Sequence, residues 1–268
     1  MLELQKLGIN SILDNAAEDE GPVTASTSSI RNRERNNFNE PGREDDYESE
    51  EICDEHVETF RRCIQTVRDA GNGRQFAAMK ITGLGNPKLL KKMSCAVSHI
   101  QDIVNLHDKD KKGYLNKEDI VKVARSQKLV DLDPSANSID HIDLSAAVFA
   151  LAFRSEQSKY FADLIPDSIN FTAEEINLIH ALQSRVNAIA QEASNLNVSL
   201  LIDAEQSWFQ PAIDVITLGL QQKYNHVDVT NQLIVFSTYQ CYLKDSLERL
   251  KVDVSRSKRP SFHFGSKL

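Results

Sequence analysis

Apolar segments of this chain run out at residues that can do chemistry. Lys80 lies in QFAAMKITGLG, with Phe76, Ala77, Ala78 and Met79 before it and Ile81 after it. An ammonium in a buried strand is costly unless an anion meets it, so Lys80 reads as an anion-binding group, or else as an outward Lys on an edge strand. Asp203, Ala204, Glu205 and Gln206 abruptly follow the apolar run of Leu200, Leu201 and Ile202. Asp203 at such a strand end can pair with Lys80 or orient a cofactor; equally, it can do no more than cap a turn. Gln240 closes the segment QLIVFSTYQ and offers both donor and acceptor groups, as the edge of a flavin or nicotinamide requires, or it is a surface turn residue.

A second constellation is Asp108, Asp110, Lys112, Gly113, Leu115, Asn116 and Asp119, spaced as in a calcium loop between two helices. Lys112 replaces an oxygen ligand with a positive charge, and Asp119 stands where a longer Glu would supply two oxygens. The expectation is an EF-hand-like helix-loop-helix with weak or absent calcium affinity, its ligand candidates being Asp108, Asp110, Asn116 and Asp119. The histidines show no HExxH or clustered spacing, and no GxSxG surrounds a serine, so zinc and serine-hydrolase chemistry lack support.

The elements that must position these residues alternate. A helix is predicted from Asp54 to Ala70, where Val57, Phe60, Ile64 and Val67 form one stripe, ended by Gly71-Asn72-Gly73. The glycine-bounded QFAAMKITGLG has the pattern of a fully buried parallel strand. Thr172 and Glu175 form a capping box, with Phe171 and Ile176 as its hydrophobic staple, opening a helix whose stripe is Ile176, Ile179, Leu182, Val186 and Ile189. Then come strand VSLLID, a helix with Pro211 in its first turn, strand QLIVFSTYQ, helix CYLKDSLERLK and the segment SFHFGSKL.

Apolar strands alternating with amphipathic helices mean parallel βα units, in a doubly wound sheet or a β/α barrel. Gly83-Leu84-Gly85-Asn86 follows a strand as a dinucleotide fingerprint would, but the third glycine is missing and Pro87-Lys88 occupy its place. The barrel expects polar residues at C-terminal strand ends, and Asp203 with Glu205, Thr238 with Gln240, and Ser266 with Lys267 supply them, which favours the barrel. The organisation read from the chain is a first barrel strand in 1–16, an acidic disordered loop in 17–52, a barrel helix and strand in 53–86, a helical EF-hand-like insertion in 87–170, and further βα units in 171–268.

A hydrophobic fraction of 41% and a charged fraction of 26% describe a globular chain. The net charge of −8 argues against nucleic acid as a partner, since phosphate binding needs a basic surface. No run is long and apolar enough for a membrane span, and MLELQKLGIN has neither a secretory-signal nor a transit-peptide layout. Cys53, Cys63, Cys95 and Cys241 show no CxxC spacing and read as reduced, favouring an intracellular compartment.

Several stretches together resemble the proline dehydrogenases, flavoenzymes built on a (β/α)8 barrel. AAMKITGLGNPKLL is similar to the family's Lys-bearing strand segment, and LLIDAEQSWFQPAIDVITLGLQQKYN to its Asp-Ala-Glu-Gln segment. VFSTYQCYLKDSLERL resembles the Thr-Tyr-Gln-Cys-Tyr-Leu-Lys segment, FGSKL the start of the Lys-Leu-Val-Arg-Gly segment, and LGINSILDNAAEDE the opening strand, with Asn15 where an aromatic is usual. The calcium-loop-like insertion also occurs in some animal members.

The resemblance implies FAD-dependent oxidation of L-proline to 1-pyrroline-5-carboxylate, with electrons passing to a quinone at the mitochondrial inner membrane. It puts Lys80 on the proline carboxylate, Asp203 in a pair with Lys80, Ala204 and Gln240 against the flavin, and Lys267 near its reactive nitrogen. After Lys267-Leu268 the family continues through Val-Arg-Gly-Ala-Tyr and further βα units, which carry an aromatic over the proline ring and paired arginines for its carboxylate. Five strands can be read here, near Ile12, Met79, Leu201, Val235 and Phe264, against about eight in a closed barrel. The expectation is therefore an incomplete barrel, a truncated product or incomplete gene reading, inactive or nearly so by itself. The alternative is a non-catalytic, calcium-responsive binding module derived from the same family.

Overall fold

The computed structural model describes residues 12–14, 49–70, 76–109, 112–116, 118–119, 138–139, 169–228, 232–259 and 261–268. Its centre is a parallel five-stranded sheet of β1 (Ile12–Asp14), β2 (Phe76–Met79), β5 (Ser199–Ile202), β6 (Val235–Thr238) and β7 (Ser266–Lys267), neighbouring one another in chain order. Two further strands, β3 (Leu115–Asn116) and β4 (Ser138–Ile139), pair antiparallel with Leu115 opposite Ile139. Five helices, α1 (Glu50–Ala70), α2 (Pro87–His107), α3 (Ala173–Leu196), α4 (Gln210–Tyr224) and α5 (Ser246–Ser257), accompany them among the described residues.

The central strands β2, β5 and β6 are largely apolar and buried on both faces, as parallel strands must be when neither face meets water. Ala77, Met79, Leu200, Ile202 and Val235 join the helices in one core, while Ala78, Leu201 and Phe236 form a small second cluster with Phe76 and Leu233 on the other face. A doubly wound sheet needs a reversal of strand order with helices on both faces; neither occurs among the described residues.

Helix α1 buries Val57, Phe60, Ile64 and Val67 as their spacing predicts, and packs on α3. It begins at Glu50 rather than Asp54, because Glu50 and Glu51 suit the positive end of a helix and Arg185 pairs with Glu50. Arg185 occupies a core-facing position of α3 and is 7% exposed, with Nη1 2.7 Å from Glu50 and Nε 2.6 Å from Asp54. The acidic loop read over 17–52 lies outside the described residues except for its last few, and Glu50–Ile52 belong to α1.

Helix α3 carries the expected capping box: the Glu175 amide donates to Thr172 Oγ1 over 3.2 Å and the Thr172 amide to Glu175 Oε2 over 2.8 Å. It ends at Asn197, which turns left-handed at φ 55°. Helix α2, opened by the Asn86 cap and Pro87, buries Leu89, Leu90, Met93, Ala96, Val97 and Ile100 and packs on α4.

Three further predicted boundaries move. Strand β2 stops at Met79, so Lys80 is the first residue beyond it rather than one of its members, extended at φ −101°, ψ 128° and opening the 3₁₀ turn Ile81–Leu84. The helix expected from Cys241 starts only at Ser246; turns occupy 241–245, and the Ser246 hydroxyl donates to the Gln240 carbonyl over 2.6 Å. The last strand is Ser266–Lys267, just past Phe264.

Buried amides on α4 and at its end fix this last strand. Asn225 donates to the carbonyls of Val235 (2.8 Å) and His263 (3.0 Å), while its side-chain oxygen accepts the amides of Ile234 and Val235, both at 2.9 Å. One turn earlier, Gln221 donates to Ser237 Oγ and to the Gly265 carbonyl, each at 2.9 Å. Two side chains thus stitch β7 to β6 where the strand itself has only two residues.

Candidate active site at the strand ends

The parallel register brings the C-terminal ends of β2, β5, β6 and β7 together. Met79 stands opposite Ile202, the Asp203 amide donates to the Met79 carbonyl over 2.9 Å, and the Tyr239 amide to the Lys267 carbonyl over 2.9 Å. Lys80, Asp203, Ala204, Gln240 and Lys267, singled out in the sequence, therefore all emerge at one end of the sheet.

Their pairing has an unforeseen element. The ion pair formed by Asp203 is with Lys267, Nζ to Oδ1 at 2.5 Å, with side chains 16% and 35% exposed. The charge of Lys80 is felt at Glu205, where it opposes the effect of burial. Sequence reasoning counts Glu205 among the polar strand-end residues but gives it no partner or role of its own. Its Oε1 accepts the Thr82 amide at 3.1 Å and its Oε2 the Thr82 hydroxyl. Burial pushes its pKa up, and the Thr82 and Ile81 hydrogen bonds with Lys80 oppose that rise. The spacing holds a signal: Glu205 lies two residues past Asp203 as Thr82 lies two past Lys80, so the β2–β5 register, continued beyond both strand ends, brings the two side by side.

Around the β6 end the groups are short of partners. Thr238 Oγ1 is buried without a hydrogen bond, and no described residue bonds the half-buried Gln240 side-chain amide. Just beyond it lies a cavity of 510 Å³ between α2, α4 and α5, with Gln240, Gln210, Asp214, Arg249 and Asp253 in its wall. Asp214 accepts from Arg249 at 2.5 Å and from Gln210 at 2.8 Å, and burial raises its pKa against the Arg249 charge. The Tyr239 hydroxyl donates to Asp253 over 2.6 Å; burial carries the Asp253 pKa to about 7, despite the bond from Tyr239. No sequence motif announces these two pairs.

A flavin needs a donor-acceptor edge, a cation near its reactive nitrogen and a small residue where the rings lie flat. The bare Gln240 amide, the orphaned Thr238 hydroxyl, Lys267 and Ala204 meet those needs chemically.

In the calcium loop the described carboxylate and amide oxygens accept backbone amides. Asp108 Oδ1 accepts the Lys112 amide at 3.1 Å and Oδ2 the Gly113 amide at 2.6 Å, while Asn116 Oδ1 accepts the Asp119 amide at 2.9 Å. Asp110 lies outside the described residues, as does nearly all of the expected exit helix. Among the described residues no three His, Cys, Asp or Glu side chains are grouped to hold a metal ion, and no helix is long and apolar enough to cross a membrane. None of the four cysteines forms a disulfide.

Residues 48–268 match the family described as Proline dehydrogenase. The chain is 31% identical over 251 residues to Proline dehydrogenase 1, mitochondrial, of Homo sapiens, covering 83% of this chain and 40% of that protein. It is 30% identical to the Caenorhabditis elegans protein of the same name, covering 83% and 38%. It is 33% identical to Hydroxyproline dehydrogenase of Bos taurus over 129 residues, covering 48% and 26%. The chain thus spans two fifths or less of the length of these relatives. No solved structure matches it.

Proposed function

This chain belongs to the proline dehydrogenase family, and from that premise we propose that its strand ends serve the FAD-dependent oxidation of L-proline to 1-pyrroline-5-carboxylate, with electrons passed to a quinone at the matrix side of the mitochondrial inner membrane. The relatives' names supply the substrate and the organelle. The sheet is read as five consecutive units of a (β/α)8 barrel. Chain-order neighbours and a single helical face are what such a barrel requires of any five of its strands.

The observation that carries this reading is the Asp203–Lys267 pair lying at the same sheet end as the bare Gln240 amide and the orphaned Thr238 hydroxyl. When bound, FAD would accept hydride from the proline ring carbon beside the nitrogen. Gln240 and Thr238 would hold the edge of the flavin, and Ala204 leaves room for its rings. Lys267 keeps a fixed positive charge where negative charge develops on reduction, which lowers the barrier without reorganisation at the moment of transfer. Asp203 holds that ammonium in place, and Lys80 meets the proline carboxylate.

The test is a titration of the purified chain with FAD, followed by flavin fluorescence, and an assay of L-proline-dependent dye reduction. Saturable FAD binding weakened by Gln240→Ala and Lys267→Ala is expected. Absence of FAD binding, or binding indifferent to both substitutions, overturns the assignment.

A further inference from the structure

We propose that Glu205 is the positioning residue of Lys80, acting through Thr82 on the turn that Lys80 opens; this rests on the reading of Lys80 as the carboxylate-binding group. Lys80 is the entry residue of the turn Ile81–Leu84 and gives it no side-chain cap. The first amides of such a turn need acceptors from elsewhere. Glu205, 123 residues away in the chain, takes both the amide of Thr82, at 3.1 Å, and its hydroxyl.

The rest of the turn is held from behind. His56 Nδ1 donates to the Gly83 carbonyl over 2.7 Å and Arg185 Nη1 to the Leu84 carbonyl over 3.2 Å. Glu205 is in turn fixed at its own backbone, its amide donating to Gln210 Oε1 on α4 over 3.0 Å. Helices α1, α3 and α4 therefore converge on four residues whose first neighbour is Lys80.

The charges at this end of the sheet have divided duties. Asp203 is engaged by Lys267 at 2.5 Å, and the charge of Lys80 is one of the influences that oppose burial at Glu205. A Glu in this place does two things that a neutral residue cannot do together: it orients the turn by two hydrogen bonds, and it keeps Lys80 protonated for an incoming carboxylate.

The test follows Lys80 itself. Reductive ¹³C-methylation of the lysines, with Lys80 assigned through Lys80→Arg, gives its titration by NMR in the intact chain. Glu205→Gln is expected to lower the Lys80 protonation constant by about threefold or more, leaving Lys92, paired with Glu175, unmoved. Thr82→Val is expected to shift Lys80 in the same direction and Thr82→Ser to restore it, a rescue that general destabilisation would not produce. An unchanged Lys80 titration in Glu205→Gln overturns the proposal. Should that variant fail to fold, identical titrations in Thr82→Val and Thr82→Ser overturn it. The readout requires neither FAD nor turnover, so a chain that fails to bind FAD yet shows the Lys80 shift counts against the proposed function and leaves the clamp standing.

Discussion

Lys267 Nζ reaches Asp203 Oδ1 at 2.5 Å across the whole width of β6, since Asp203 leaves β5 and Lys267 lies on β7. Two strand spacings amount to roughly 9.6 Å, a gap that only a long side chain spans. The contact therefore reports the closeness of three strand ends, and it exists only while β7 keeps its register.

That dependence can be measured as a coupling. Lys267→Met and Asp203→Asn should each destabilise the chain by about 1–2 kcal/mol, and the double variant by less than their sum, with a coupling near ~1 kcal/mol for a half-buried pair. Urea unfolding followed by the fluorescence of the single tryptophan, Trp208, gives all four values. Strict additivity would mean that the two side chains do not act on each other.

Asn225 should matter more than either. Its side chain satisfies two amides and two carbonyls between α4, β6 and the approach to β7. Asn225→Ala takes the partner from all four of these groups at once, and a loss of about 3 kcal/mol or more is expected. A change under about 1 kcal/mol in the same urea experiment would show that the β6–β7 junction does not rest on this residue.

Much of this is legible in the sequence. The stripe of Val57, Phe60, Ile64 and Val67, the Thr172–Glu175 box and the strands β2, β5 and β6 follow from local periodicity and capping, which act within a few residues, whereas β1 is legible only through the family resemblance. Lys80, Asp203, Gln240 and Lys267 are legible as well, because a polar residue ending an apolar run is conspicuous. Partner choice is not. Whether Asp203 meets Lys80 or Lys267 depends on the side-chain directions of strands 64 residues apart. The role of Glu205 stays hidden because its partner, Thr82, carries no charge. The start of helix α5 is misread because Tyr242 to Lys244 continue its pattern, while the Ser246 hydroxyl bond to the Gln240 carbonyl holds them in turns.

Asp253 makes the fold sensitive to pH in a defined direction. Burial raises its pKa from 3.8 to about 7, so the folded state holds its proton over a range in which the unfolded state has released it. Its cost is absent below about pH 4, grows as pH rises through that window, and is complete above about pH 7. Asp253→Asn keeps an acceptor for the Tyr239 hydroxyl and removes the charge. The variant should match wild type near ~pH 4 and exceed it by a few kcal/mol (order of magnitude) at about pH 8. A stability difference that does not change between those pH values would show that Asp253 titrates normally.

Two glycines offer opposite outcomes from the same substitution. At Gly265, just before β7, a Cβ would lie 2.9 Å from Phe236 Cδ1 and 3.0 Å from the Val235 carbonyl oxygen. The carbonyl belongs to a paired strand and cannot yield without disturbing β6. Gly265→Ala should cost about 1–3 kcal/mol by forced displacement, and it should weaken the Asp203–Lys267 coupling, because β7 must move. Gly219 lies on the exposed side of α4, where an added methyl would meet none of the described residues within 4 Å. There Gly219→Ala removes only backbone freedom from the unfolded chain and should stabilise by up to about 1 kcal/mol. Parallel urea titrations decide both: a neutral Gly265→Ala would mean that the β6–β7 approach is looser than its geometry, and a destabilising Gly219→Ala would mean that the exposed face of α4 meets something in the folded chain.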